Sequence, residues 1–414
     1  MKLKQKDSQI AKLIDLETNR QKTTLQMIAS ENHCSPAVRE ALGSILTDKY
    51  AEGYPGKRYY GGNEFIDKVE TLCIDRAKKL FKVEHVNVQP HSGSPANAAV
   101  YVATCEPGDT IMGLALPMGG HLTHGTKVSF GGKFFKAVQY GVDEKTHLIN
   151  YDELAKLVAE TKPKLMWVGA TAYPRIFDWK KLGEIADSVG AYLAADIAHI
   201  AGLVAGGAHP SPVPFVHIVT TTTHKTLRGP RGGMIMVTKK GLARDAELPK
   251  KIDKAVFPGL QGGPHENAIA AIAVCLKEAS APAFKKYAAQ IVKNAKVLAE
   301  ELKKYGFNLV SGGTENHLMI IDLRSKNITG ADAQNLLESA GMSTNKNSIP
   351  FDPAGPFKPS GLRLGTAAIT TRGMKEKEMK MIAGWINEVI ANPNLAKKIA
   401  QEVKKLCKKF PLPK

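Results

Sequence analysis

The sequence predicts an α/β protein with a mostly parallel central sheet, followed by a smaller α+β C-terminal domain. Three observations carry that expectation. Short β-branched or apolar runs alternate with amphipathic helical patterns from about residue 63 to residue 240. From about 264 to 304 the chain becomes Ala- and Lys-rich with a helical period. Beyond 306, short strand and helix patterns mix without the regular alternation. At 414 residues the chain is long enough for two or three domains. The expected division is 1–275, an N-terminal arm and large domain, and 276–414, a small domain.

Residues 64–79, 95–105, 151–160 and 179–188 have helical spacing of apolar positions. Between them, residues 86–88, 110–114, 164–168, 191–196 and 216–221 read as strands, too short and too apolar for surface helices. Residues 306–323 read as two strands around the Gly312-Gly313 turn. Residues 331–339 read as a helix, 362–364 as a short strand, and 373–409 as mostly helix.

Composition narrows the class. Hydrophobic residues make up 43% and charged residues 23%, an ordinary globular balance. No run of eighteen apolar residues occurs, so no membrane span is expected. The start, Met1-Lys2-Leu3-Lys4-Gln5-Lys6-Asp7, is charged, and no secretory signal is expected there. The five cysteines are scattered without a CxxC pair, which argues against a zinc site or a disulfide framework and for a cytoplasmic setting. The net charge of +18 favours polyanions, including a nucleic acid. Its lysines are spread over helical segments such as 375–380 and 397–409, which makes solvated helix faces the simpler reading.

Three strand-end features carry chemistry. Val219-Thr220-Thr221-Thr222-Thr223-His224-Lys225 runs from a buried strand into a lysine and a Gly/Pro/Arg turn. Such an amine can snorkel to water. It can also lose its proton through burial and condense with an aldehyde. Gln89-Pro90-His91-Ser92-Gly93-Ser94-Pro95-Ala96-Asn97 joins a strand to a helix, either an anion site at the helix N-terminus or a capped turn. Asp196, ending Ala191-Tyr192-Leu193-Ala194-Ala195, either caps a helix after it or faces a cation. Together they meet the needs of pyridoxal phosphate: a lysine for its aldehyde, an anion site for its phosphate, and a carboxylate for its ring nitrogen. The order phosphate loop, Asp196, Lys225 is that of the aspartate-aminotransferase-like group. The step of 29 positions from Asp196 to Lys225 fits neighbouring strands.

With those residues placed, the chain closely resembles serine hydroxymethyltransferase, also called glycine hydroxymethyltransferase, over about residues 25–390. The resemblance rests on Ala29-Ser30-Glu31-Asn32, Tyr50-Ala51-Glu52-Gly53-Tyr54-Pro55-Gly56-Lys57-Arg58-Tyr59-Tyr60-Gly61-Gly62, Gly119-Gly120-His121-Leu122-Thr123-His124-Gly125, Gln261-Gly262-Gly263-Pro264, Asn345-Lys346-Asn347 and Ser360-Gly361-Leu362-Arg363-Leu364-Gly365-Thr366. It also takes in the Asp196 and Lys225 segments.

The resemblance implies an aspartate-aminotransferase-like large domain and a transferase of one-carbon metabolism and amino-acid biosynthesis. The implied reaction passes serine's hydroxymethyl carbon reversibly to tetrahydrofolate, giving glycine and 5,10-methylenetetrahydrofolate. It assigns the catalytic centre to Lys225, Glu52, His224 and Tyr60. Pyridoxal phosphate would be held by Lys225, Asp196, His199, His121, Ser94, Gly93, Ala198 and Thr171, with Tyr50 and Gly263 arriving from a second subunit of a homodimer. Arg363, with Ser30 and Tyr60, would take the amino-acid carboxylate. Leu362 and Leu364 point the other way along the strand. Glu52 would face the hydroxymethyl group. Tyr59, Leu116, Gly120, Leu122, Asn347 and the partner subunit's Phe257 would line the folate site. No metal and no membrane are expected. Two rivals remain: a folate-independent β-hydroxy-amino-acid aldolase of threonine type on the same scaffold, and an RNA-binding protein suggested by the charge and by four tyrosines between Tyr50 and Tyr60.

Overall fold

The computed structural model describes residues 3–355 and 357–413. Met1 and Lys2, part of the charged N-terminal stretch, lie outside the described residues, as do Pro356 and Lys414. The large sheet has seven strands: β1 (His85–Asn87), β2 (Thr110–Leu114), β3 (Lys136–Tyr140), β4 (Leu165–Val168), β5 (Tyr192–Asp196), β6 (Ile218–Thr222) and β7 (Gly233–Val237). Their order is β1-β7-β6-β5-β4-β2-β3. All pairs are parallel except those of β7, which is antiparallel to β1 and β6. The expected mostly parallel sheet is therefore present. Two of its strands, β3 and β7, go beyond the sequence expectation.

Strand alternation divides the core into two layers. Ile111, Leu165, Trp167, Ala194 and Ile218 face one side. Met112, Met166, Val168, Ala195 and Val219 face the other. Both faces are covered by helices, which is why β4 and β6 are buried at every position. Helix α3 (Gly93–Thr104) lies on the first face through Ala96, Ala99 and Val100. Asp196 shares the parity of Ala194, so its carboxylate points towards α3. The second face carries α2 (Glu64–Phe81), α4 (Tyr151–Thr161) and α5 (Trp179–Ser188). The side chains of Asn150 and Asp178 cap α4 and α5, replacing the missing backbone acceptors at those helix starts.

The helical stretch expected from 264 to 304 is two helices, α6 (Glu266–Ala279) and α7 (Pro282–Lys304), meeting at an 84° bend. Pro282 opens α7, where its missing N–H is no loss. Phe284, Ala288 and Ile291 of α7 join the large-sheet core, while Ala295, Leu298 and Leu302 join a second core. That second core surrounds a four-stranded antiparallel sheet, β8 (Asn308–Leu309), β9 (Leu318–Asp322), β10 (Asn345–Asn347) and β11 (Gly361–Gly365), in the order β8-β9-β11-β10. Leu25 and Met27 also pack there, because Leu25–Gln26 pairs in parallel with Met342–Ser343. Among the described residues no single helix is long and apolar enough to cross a membrane.

Candidate active site

The carboxyl end of the parallel strands is where open α/β sheets leave room for ligands. A cavity of about 150 Å³ lies there, lined by Ser92, Gly93, Ser94, His121, Ala170, Thr171, Asp196, Ala198, His199, Thr222, His224, Lys225 and Arg231. Nine residues expected at the cofactor or catalytic centre thus meet in one place: Gly93, Ser94, His121, Thr171, Asp196, Ala198, His199, His224 and Lys225. Asp196 ends β5 and Lys225 comes just after β6, and these strands are parallel neighbours.

Asp196 is held from three sides. Asn97 Nδ2 donates to Oδ2 at 2.8 Å, the Ala198 amide donates to Oδ1 at 3.0 Å, and His124 Nε2 lies 3.1 Å from Oδ2. Burial works against its charge, but the His124 and Asn97 hydrogen bonds and the two neighbouring histidines outweigh it. The carboxyl is held well below the usual carboxylate range. Asn97 is itself fixed by Thr220 Oγ1, which donates to its Oδ1 at 2.7 Å. His124 stacks on Trp167 with ring centroids 5.1 Å apart. The result is a charged acceptor at the back of the cavity.

Lys225 Nζ donates to Thr222 Oγ1 at 3.1 Å. Burial lowers its proton affinity, Asp196 opposes that, and Arg363 and Arg231 add to it; the amine is brought down to about 8. Burial next to Lys225 and Arg231 takes His224 down to about 3. His121, anchored by Thr123 Oγ1 at 2.7 Å, falls to about 4, chiefly by burial. His199, whose Nδ1 lies 3.2 Å from His317 Nε2, is pushed well below its ordinary value by burial and the nearby cations. The cavity's histidines are therefore neutral at pH 7, while its carboxylate is charged.

The loop ahead of α3 has no room to spare. A Cβ on Gly93 would stand 2.7 Å from Thr222 Cγ2, so only glycine lets helix and strand approach this closely. Gly93 and Ser94, the first residues of α3, line the cavity, and the start of a helix leaves backbone N–H groups free for an anion such as phosphate.

Arg363 reaches the same region from β11. Its Nη1 donates to the Thr171 carbonyl at 2.7 Å, its Nε to Asn345 Oδ1 at 3.0 Å, and its Nη2 lies 3.5 Å from Ser30 Oγ. Leu362 and Leu364 are fully buried on the opposite face, as expected. Burial lowers the guanidinium to about 10 against the pull of Glu31. Among the described residues no carboxylate pairs with it, so a buried cation is left for an anion from outside.

The remaining expected residues do not line this cavity. Tyr50 and Tyr60 contact each other edge-to-face at 5.0 Å, and Tyr59 meets Phe257 at 5.7 Å. Gly262 and Gly263 lie against Glu52 and the Tyr50 ring. Glu52 is half-buried, while Tyr50, Tyr59 and Tyr60 around it are 55%, 76% and 47% exposed. Leu116 and Leu122 are exposed too, and Asn347 Nδ2 donates to the Ser348 carbonyl at 2.6 Å.

Asn97, His124, Arg231 and Asn345 received no individual role from the sequence. A polar Asn97 among Ala96, Ala98, Ala99 and Val100 on a sheet-facing helix was the available signal for the first.

The residues fit pyridoxal phosphate. Asp196 stays ionised where a protonated ring nitrogen needs a partner, Lys225 offers an amine poised to lose its proton, and the Gly93 cradle admits a phosphate. With the sheet order above, these define a pyridoxal-phosphate enzyme of the aspartate-aminotransferase-like fold. The serine hydroxymethyltransferase family profile matches residues 3–386. The serine hydroxymethyltransferase of Desulfotalea psychrophila is 58% identical over 414 residues, covering 99% of this chain and 96% of that protein. The chain belongs to the serine hydroxymethyltransferase family, whose members use pyridoxal phosphate and take tetrahydrofolate as co-substrate.

Proposed function

We propose that the strand-end cavity is the centre at which serine's hydroxymethyl carbon is passed reversibly to tetrahydrofolate, giving glycine and 5,10-methylenetetrahydrofolate. The observation that carries this assignment is a poised amine and an ionised carboxylate at the ends of adjacent parallel strands, beside a buried arginine with no acidic partner among the described residues. When bound, pyridoxal phosphate supplies an electron sink for the bond broken at the substrate's Cα.

The chain's own groups do the rest. Lys225 would hold the cofactor through its amine. Asp196, stiffened by Asn97 and His124, would partner the ring nitrogen, and Gly93 and Ser94 would take the phosphate. His121, Ala198, His199 and Thr171, which line the same cavity, would hold the ring. His224, held neutral by burial, adds no second positive charge beside Lys225. Arg363 and Ser30 would bind the substrate carboxylate and so orient its Cα in the cavity. Glu52 and Tyr60 manage the proton at the hydroxymethyl oxygen.

We place Glu52, Tyr60, Tyr50, Gly263 and Phe257 in the site of a second copy of the chain, in a homodimer. The exposed aromatic cluster around Tyr50 and Tyr60, separate from the Lys225 cavity, supports that arrangement. Leu116, Gly120, Leu122 and Asn347 line the folate side, joined by Tyr59, which meets Phe257 and so comes from the same second copy. We divide the chain at 275/276 into large and small domains and place the protein in the cytoplasm. The full-length family match favours transfer over the folate-independent aldolase.

The test is twofold. Serine cleavage should depend on tetrahydrofolate, and glycine with tetrahydrofolate together should raise a long-wavelength absorbance band that neither raises alone. Serine cleavage indifferent to folate would return the aldolase reading.

A further inference from the structure

The segment that carries Glu52 is held by an ion cluster that has no part in the chemistry itself. Gly53–Tyr54 and Lys57–Arg58 pair as a short antiparallel hairpin, with Gly53 opposite Arg58. The Arg58 side chain is only 4% exposed. Its Nη1 donates to the Ala51 carbonyl at 2.7 Å and to the Gly53 carbonyl at 2.9 Å. Those carbonyls flank Glu52. On its other edges, Nε donates to Asp67 at 2.9 Å and Nη2 to Glu70 at 2.6 Å. Glu266, the first residue of α6, stands 3.8 Å from the same Nη2.

The cluster is cross-linked to the cofactor side of the molecule. Gln89 Nε2, just before the phosphate loop, donates both to the Gly53 carbonyl and to Glu70, at 2.9 Å each. Asp67 also accepts the Gly56 amide at 2.8 Å, and the Tyr59 amide donates to the Glu52 carbonyl at 3.1 Å. Exposed turns of this length ordinarily open on their own. Here a single planar fork spans both sides of one residue, a geometry that a lysine ammonium cannot copy. Gly53 has φ +96°, and a Cβ there would come 2.2 Å from the Lys57 carbonyl, so the hairpin has no slack with which to re-form.

We propose that Arg58 is the positioning residue for Glu52: it locks the backbone on either side of the acid, so that its carboxylate enters the site in one orientation. The proposal rests on Glu52 acting at the hydroxymethyl group. Asp67 and Glu70 hold Arg58 in turn and touch no reacting atom.

A double-mutant cycle on the full-length holoenzyme tests it, using R58K, E52Q and the double variant. R58K should lower kcat for folate-dependent serine cleavage at least tenfold, with serine KM and bound cofactor unchanged. In the E52Q background R58K should add nothing. In the cofactor-free protein, R58K should speed hydrogen exchange across residues 50–60 and leave residues 192–225 unaffected.

An equal loss from R58K in both backgrounds would overturn the proposal, as would full turnover in R58K or unchanged exchange at 50–60. Full turnover in E52Q would instead remove the role given to Glu52, while the exchange data still decide whether Arg58 locks the segment. Should R58K fail to fold, D67N takes its place, because Asp67 lies nearer the surface. A loss seen with Glu52 and absent without it supports the proposal, and its absence overturns it.

Discussion

Arg363 shows how one residue's surroundings set its task. A guanidinium with two strong neutral acceptors, no acidic partner among the described residues and little solvent is destabilised unless an anion arrives. Arg363→Ala should therefore raise the serine KM by roughly a hundredfold, the loss of about 3 kcal/mol expected for a charged hydrogen-bonded pair. An unchanged KM in steady-state assays would remove Arg363 from the carboxylate site. Lys225 gives a second residue-scale expectation. With its proton affinity brought down to about 8, the neutral amine grows roughly tenfold per pH unit below that value and levels off above it. The rate at which cofactor-free protein captures added pyridoxal phosphate should track the same curve, whereas an unshifted lysine would keep rising towards pH 10. Lys225 and Asp196 were legible from strand-end position and residue type, whereas Arg363, in mid-strand, entered through the resemblance. Asn97 and His124 were not assigned, because their role exists only once α3 and the loop after β2 converge on Asp196.

At the scale of elements, the contact between α3 and β6 sets the cavity. Gly93→Ala would press a methyl group against Thr222, a buried β-branched side chain that also accepts from Lys225. The variant should fold, with pyridoxal phosphate bound about tenfold more weakly by equilibrium titration. Unaltered affinity would show that Thr222 has room to yield. Parallel strands buried on both faces were readable because their apolar runs are continuous. The edge strand β3 was not, since most of its residues remain solvent-accessible and its pattern is mixed. The turn at Ser280-Ala281 was likewise hidden inside an unbroken helical composition, because Pro282 is harmless at a helix start.

At the scale of the whole molecule, the Lys225 cavity and the Glu52 cluster are separate in one chain, and the proposed homodimer is what joins them. The cavity with Lys225 lacks a proton-transfer acid, and the cluster with Glu52 lacks a cofactor anchor. Their separation could not be read from spacing, since neither the short hairpin within residues 50–60 nor the turn at Lys225 carries a signal of which cavity it borders. Only the resemblance placed them in different subunits. Glu52→Gln should keep cofactor and serine binding, monitored by absorbance, and lose most folate-dependent transfer. Full transfer in that variant would contradict the role of Glu52. The positive charge takes no place in this arrangement beyond steering anionic substrates towards the protein.

Subunit mixing tests the shared site most directly. Lys225→Ala and Glu52→Gln, each inactive alone in folate-dependent transfer, are unfolded together and refolded so that dimers form at random. A mixed dimer then contains one site with both Lys225 and Glu52 intact and one with neither. About a quarter of all sites should therefore regain wild-type turnover. No recovery, in a mixture shown to contain mixed dimers, would contradict a site completed by a second subunit.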